Sequence, residues 1–222
     1  EFNGANGKVY RWVQRINGER QGRFEPAIFL VTPKKQQVYS LGFDYNFSKN
    51  TQLIGEGAMS NYDVNLFSSK DKANRTGFAT KWQLKNTKQL GKSLKMLTDA
   101  GLEWVQGSFK PLERLRNVEF SRDWGLPQQN IIIPQDERII TAGVQFNDKK
   151  SNQLRYQFTN YNKADGFNGI RNSVQHIQQA GGWKFNNLFM ISQVSDALNK
   201  GYFLRPTLNA SYQFKKLKNY TL

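Results

Sequence analysis

Leu204-Arg-Pro-Thr-Leu-Asn-Ala-Ser-Tyr-Gln-Phe214 is apolar at every even position and polar at every odd one. Successive side chains of a β-strand point to opposite faces, whereas a helix repeats its apolar positions every three or four residues. The stretch therefore reads as a strand with one apolar face and one polar face. The same period of two recurs up the chain. It runs through Tyr39, Leu41, Phe43, Tyr45 and Phe47, then Phe78, Trp82 and Leu84, then Met96, Ala100, Leu102 and Trp104. It returns in Ile140, Ala142, Val144 and Phe146, and in Leu154, Tyr156 and Phe158. Neither Asp71–Leu97 nor Ser192–Leu198 holds a 3.6-residue period, so the chain is expected to be all-β.

The segments expected as strands are 7–16, 23–32, 37–47, 52–61, 76–85, 95–106, 138–147, 153–162, 170–185, 188–194 and 202–214, about eleven in all. Short Lys/Asn-rich connections link some of them: Phe47 to Leu53, Leu84 to Leu90, Phe146 to Leu154 and Phe214 to Leu222. Asn186-Asn187 reads as a fifth tight turn, since Asn tolerates the left-handed conformation. Longer polar connections lie between them, at 61–75, 107–137, 162–169 and 195–201. Short and long links that alternate describe a meander of antiparallel hairpins with its tight turns at one end. Outer-membrane β-barrels have that pattern, with strands of ~9–11 residues. A single barrel domain or barrel segment over 1–222 is expected. An odd strand count that breaks off after a turn suits part of a larger barrel.

Two segments, Gln37–Thr51 and Leu208–Leu222, resemble strand–turn–strand units of outer-membrane β-barrel proteins of the Bacteroidota type. The resemblance implies a bacterial outer-membrane location and contact with outer-membrane lipid. It also implies a non-enzymatic role as a pore, a translocation channel or a structural subunit among other envelope proteins. The chain departs from the pattern in one respect: it stops at Tyr220-Thr221-Leu222, where such proteins close on a strand with a terminal aromatic. The alternative open to this sequence is a soluble or cell-surface β-sandwich binding a polyanion or polysaccharide through Trp12, Trp124 and the basic turns.

In a barrel, the polar positions of the strands line the lumen. Asp44, Lys81, Asp99, Glu103, Arg155 and Arg205 are the expected lumen and selectivity residues, with Lys81 and Arg155 as cross-strand counter-charges. The long connection 107–137 carries Arg114, Arg116, Glu119, Arg122 and Asp123 beside Phe120 and Trp124. Loops longer than ~12–15 residues are usually functional or disordered. This one is expected to fold over the lumen and narrow it, its Arg/acid pairs setting selectivity. The weighed alternative is an extended hairpin whose charges pair with one another.

Composition narrows the remaining classes. The 222 residues carry Lys+Arg 32 against Asp+Glu 17, a net charge of +15, with 14% aromatics. So many aromatics argue against intrinsic disorder. With Cys 0 and His 1, thiolate and His-rich metal sites are absent, and His176 is read as structural. Asp99 and Glu103 lie ~13 Å apart along a strand, too far for a glycosidase pair. No Gly-x-Ser-x-Gly elbow or phosphate loop is present, so neither enzyme activity nor a cofactor is expected. Val9–Arg15 interleaves Arg with aromatics, yet most lysines cluster in turns rather than across one face. Nucleic acid is therefore a disfavoured partner, and the basic turns suit an anionic headgroup zone.

Overall fold

The computed structural model describes residues 2–4, 7–9, 11–23, 31–70, 72, 75–126 and 134–214. A small hairpin, β1 (Phe2–Gly4) with β2 (Gly7–Val9), precedes the main sheet. The sheet has nine antiparallel strands in sequence order. They are β3 (Lys35–Ser48), β4 (Thr51–Asp63), β5 (Thr76–Leu90), β6 (Leu94–Val105), β7 (Glu137–Asp148), β8 (Gln153–Lys163), β9 (Asn168–Ala180), β10 (Trp183–Ser195) and β11 (Lys200–Tyr212). Every consecutive pair is hydrogen-bonded, which confirms the all-β antiparallel meander. β3 and β11 are its edges, with no pairing between them among the described residues.

Several expected boundaries are corrected. The strand expected over 7–16 stops at Val9, and Asn17 and Gly18, at φ 54° and 83°, turn the chain between Ile16 and Glu19. Of the segment 23–32, residues 24–30 lie outside the described residues, and Val31 and Thr32 are not in a strand. Residues 85–89 belong to β5 rather than to a turn: although they are all polar, they stay paired with β6 through to Leu90, and the break comes at 91–93, where Gly91 has φ 68°. Asn186-Asn187 lies inside β10, opposite Ile177 and His176. The actual hairpin turn is Gly181-Gly182, at φ 58° and 94°, where glycine adopts the left-handed backbone without a Cβ penalty. The Leu84 turn and the Asn186 turn were thus placed on Asn where glycine governs. The turn after Phe214 lies outside the described residues.

All four tight links, 49–50, 91–93, 149–152 and 181–182, fall at one end of the sheet. The other end carries 64–75 and 106–136, while 164–167 and 196–199 are much shorter than expected. A single turn of helix, α1 (Phe120–Asp123), sits inside the longest link.

The register sorts the strands' side chains into two continuous faces. One carries Tyr39, Leu41, Phe43 and Tyr45 on β3, continues through Trp82 and Leu102, and ends on Tyr202, Leu204 and Leu208 of β11. The other carries the polar set. On β8 and β11 exposure runs opposite to that of a water-soluble sheet, while on β3 residues of both faces are exposed. On β11 Leu204 is 57% and Leu208 65% exposed, whereas their polar-face neighbour Arg205 is half-buried. On β8 Leu154 and Tyr156 are exposed while Arg155 between them is half-buried. Among the described residues only Val105, Phe109, Trp124, Tyr161 and Phe167 are buried apolar side chains.

Candidate functional site: the polar face and its strap

All six expected lumen residues stand on the polar face. Asp44 lies opposite Ile54, Lys81 opposite Glu103, Lys85 opposite Asp99, and Met190 opposite Arg205. Asp44 accepts a hydrogen bond from Gln52 Nε2 at 2.9 Å. Arg155 reaches across β7 to Asp99 at 2.9 Å and donates to Gln145 Oε1 at 3.1 Å. The expected counter-charge role of Arg155 thus has a geometric counterpart. Lys81 faces Glu103 in register, but the ion pair of Glu103 goes to Arg116 of the long link.

That link, 106–126 in its described part, folds onto the polar face at the loop end and is called here the strap. It is fastened at three places. At its root, the backbone N–H of Lys110 donates to Ser60 Oγ at 2.8 Å, and Gln36 of β3 donates to the carbonyls of Lys110 and Pro111. In the middle, Arg116 bridges Glu103 of β6 and Glu137 of β7, the latter at 3.1 Å. Burial on its own would lower the Arg116 pKa, but the two carboxylates outweigh it and raise the value, so the guanidinium stays charged. At its tip, Asp123 accepts from Arg205 of β11 at 2.8 Å, while its carbonyl accepts from Arg171 Nη2.

Trp124, 2% exposed, fills a socket of Tyr161, Phe167, Ile139 and Val194, with Phe120 and Leu126 beside it. Its ring centroid is 5.5 Å from that of Tyr161. The Arg171 guanidinium lies 4.0 Å from the Trp124 ring centroid and also donates to Ser192 Oγ at 3.0 Å. Gly169 floors the socket: a Cβ there would meet the Trp124 ring at 2.6 Å.

The strap therefore touches both edge strands. Eight strand-to-strand steps of a flat sheet would span ~38 Å. Between Lys110 and Asp123 the chain makes a turn of helix and several bends that shorten its reach, so contacts at both edges suit a sheet that bends toward its polar face.

Of the loop residues singled out from sequence, Arg116 and Asp123 engage the sheet. Glu119 and Arg122 pair with each other at 2.5 Å in an exposed i,i+3 contact, and Arg114 points to solvent. The run Ile131–Ile133 lies outside the described residues. Sequence reasoning missed Glu137, Tyr161, Arg171 and the helical turn. One signal was there to find. Val105, Ile139, Tyr161, Val194 and Phe203 are apolar residues at the polar parity of their strands, and all five stand at the loop end. Such a patch on a polar face marks where something lands.

At the strap end of the apolar face stand Tyr39, Phe78, Trp104 and Tyr202. The turn end carries Tyr45 and Phe47 with ring centroids 5.0 Å apart, and a chain of Trp183, Tyr212 and Phe214 at 5.0 and 4.8 Å. Among the described residues no group of His, Cys, Asp and Glu is arranged to hold a metal. No helix among them is long and apolar enough to cross a membrane, which leaves a crossing by strands untouched. The chain matches no known family, no curated protein and no solved structure.

Proposed function

We propose that the chain is a transmembrane β-barrel, or a contiguous segment of one, in a bacterial outer membrane. Its role is non-enzymatic: a pore, a translocation channel or a structural subunit of an envelope complex. The observation that carries this reading is the inverted exposure of the sheet. Large apolar side chains stand exposed on eight of the nine strands, all but β4, while Arg155 and Arg205 on the charged face are half-buried and the strap covers the loop end of that face. Water penalises that arrangement and lipid favours it, since roughly 25 cal/mol is lost per Å² of apolar surface left wet.

Dimensions agree. On β11 the apolar face runs from Tyr202 to Tyr212, ~33 Å along the strand and ~24 Å along the normal at a 45° tilt, close to the ~25 Å of an outer-membrane apolar band. The aromatics at both ends of the face suit the two girdles of such a band. Asp44, Lys81, Asp99, Glu103, Arg155 and Arg205 then line the lumen, and the strap with Arg116 and Asp123 narrows it.

The test is extraction and refolding. The protein should require detergent for solubility, shift its gel mobility on boiling, and give discrete conductance steps in planar bilayers. Purification as a monodisperse monomer without detergent overturns the reading.

A further inference from the structure

We infer that the strap is a latched gate: it is rooted at Phe109 and Lys110, latched at Asp123 and Trp124, and its release opens the loop end of the polar face. The conductance arm of the test rests on the transmembrane reading above; the gate itself does not.

Three observations separate the root from the latch. Phe109 is 7% exposed, its backbone lies against Gly77 of β5, and the next residue is held by Ser60, itself fully buried. Gly107 N–H donates to Asp136 Oδ1 at 2.8 Å, tying the outgoing and returning chains together at the same place. Beyond the root the strap lifts away: Leu112 is 70% and Val118 74% exposed. The arm then comes down again at Trp124.

Every contact of the tip with the sheet described above involves a side chain on at least one partner. Among the described residues no backbone–backbone hydrogen bond ties 112–126 to the sheet; the contacts run through the side chains of Arg116, Asp123 and Trp124 and through the carbonyls of Asp123 and Arg122, which accept from Arg171 and Arg205. Lifting the tip therefore breaks no bond of the strand ladder. α1 is one turn long and has no side-chain cap at Glu119, so it has no stability of its own and exists by being docked. The Asp123–Arg205 pair is more than a third exposed on both sides, which makes it the weak element of the latch. Trp124 in its socket is the strong one.

The experiment uses an Asp123→Cys/Arg205→Cys variant bridged by a reducible bis-thiosulfonate; the chain has Cys 0, so no other thiol competes. In detergent, trypsin cleavage at Arg116, whose guanidinium is held by Glu103 and Glu137 while the strap is docked, reports strap opening without reference to any pore. Bridging is expected to slow that cleavage at least tenfold relative to the reduced form. Where cleavage follows the open population, Trp124→Ala should speed it by more than about 100-fold over the unaltered chain. Arg205→Gln, which leaves the socket intact, should speed it up to about fivefold and guards against misfolding of the Trp variant. In planar bilayers the bridged form should stay in its low-conductance state and the reduced form should step to a higher one. Equal cleavage rates for the bridged, reduced and Arg205→Gln proteins overturn the gate, as does conductance indifferent to reduction. Cleavage that follows the latch in a protein that never conducts leaves the gate standing and overturns the pore.

Discussion

Asp123 and Arg205 lie 82 residues apart in sequence and 2.8 Å apart in space, and their contact pins the longest link to the last strand of the sheet. The pair is partly exposed, so its coupling is small. A double-mutant cycle over Asp123→Ala and Arg205→Ala should return about 0.2–1 kcal/mol, measured by urea unfolding in detergent. A value above about 2 kcal/mol would show that the pair is desolvated when docked.

Trp124→Ala should cost about 3–5 kcal/mol of stability, since the ring is fully buried in a preformed aromatic socket. Phenylalanine at the same position keeps most of the volume and should recover more than half of that loss. Thermal unfolding in detergent decides the matter.

Leu204→Arg distinguishes lipid from water on the outer face. In vesicles it should destabilise by about 1–3 kcal/mol, since Leu204 stands between the girdle and the middle of the band, where arginine costs about 0–1 and about 2–4 kcal/mol respectively. Leu204 is 57% exposed, so in a water-soluble sheet the same change would be within about 0.5 kcal/mol of neutral.

Gly182→Ala should cost about 1–2 kcal/mol, because φ is 94° there and a Cβ would stand 3.2 Å from the Tyr212 ring. The effect should appear as faster hydrogen exchange along β9 and β10 near the hairpin and leave the strap end unchanged.

Asp196 sets the pH response of the 196–199 turn. Its carboxylate accepts from the N–H groups of Leu198 and Asn199 at 2.8 and 2.6 Å, and those bonds hold its pKa below the usual carboxylate value. A depressed folded value means the support is present above the unfolded pKa, about 3.9, and is lost as pH falls through the folded one. Amide exchange at Leu198 and Asn199 should therefore accelerate, relative to its intrinsic rate, on going from pH 5 to below pH 3. Asp196→Asn should lack that acceleration.

Most of the sheet was legible because a period of two, sustained through 39–47, 138–147 and 204–214, is the signature of a strand and not of a helix. Misreadings came where local chemistry looked alike at two places. Leu84-Lys-Asn-Thr-Lys-Gln-Leu90 has the composition of the Phe47 turn and loses its apolar alternation at Asn86 and Lys88, yet its pairing with β6 runs on to Leu90. Asn186-Asn187 competed with Gly181-Gly182, and the glycines won because a two-residue hairpin needs positive φ at both positions. For the site, parity identified the six polar-face residues, and charge density in one loop picked out Arg116 and Asp123. Arg171 stayed hidden because a lone arginine at a polar position looks like any other; only the wrong-parity aromatic Tyr161, one strand away, hinted at its partner Trp124.

The five apolar side chains buried among the described residues are few against the entropy cost of ordering a sheet of nine long strands. On the transmembrane reading proposed above, the lipid that covers the outer face would be a constituent of the native state, as much as any residue is. Stability here belongs to the chain together with its surroundings: change the covering medium and the folding equilibrium changes, with no atom of the protein altered.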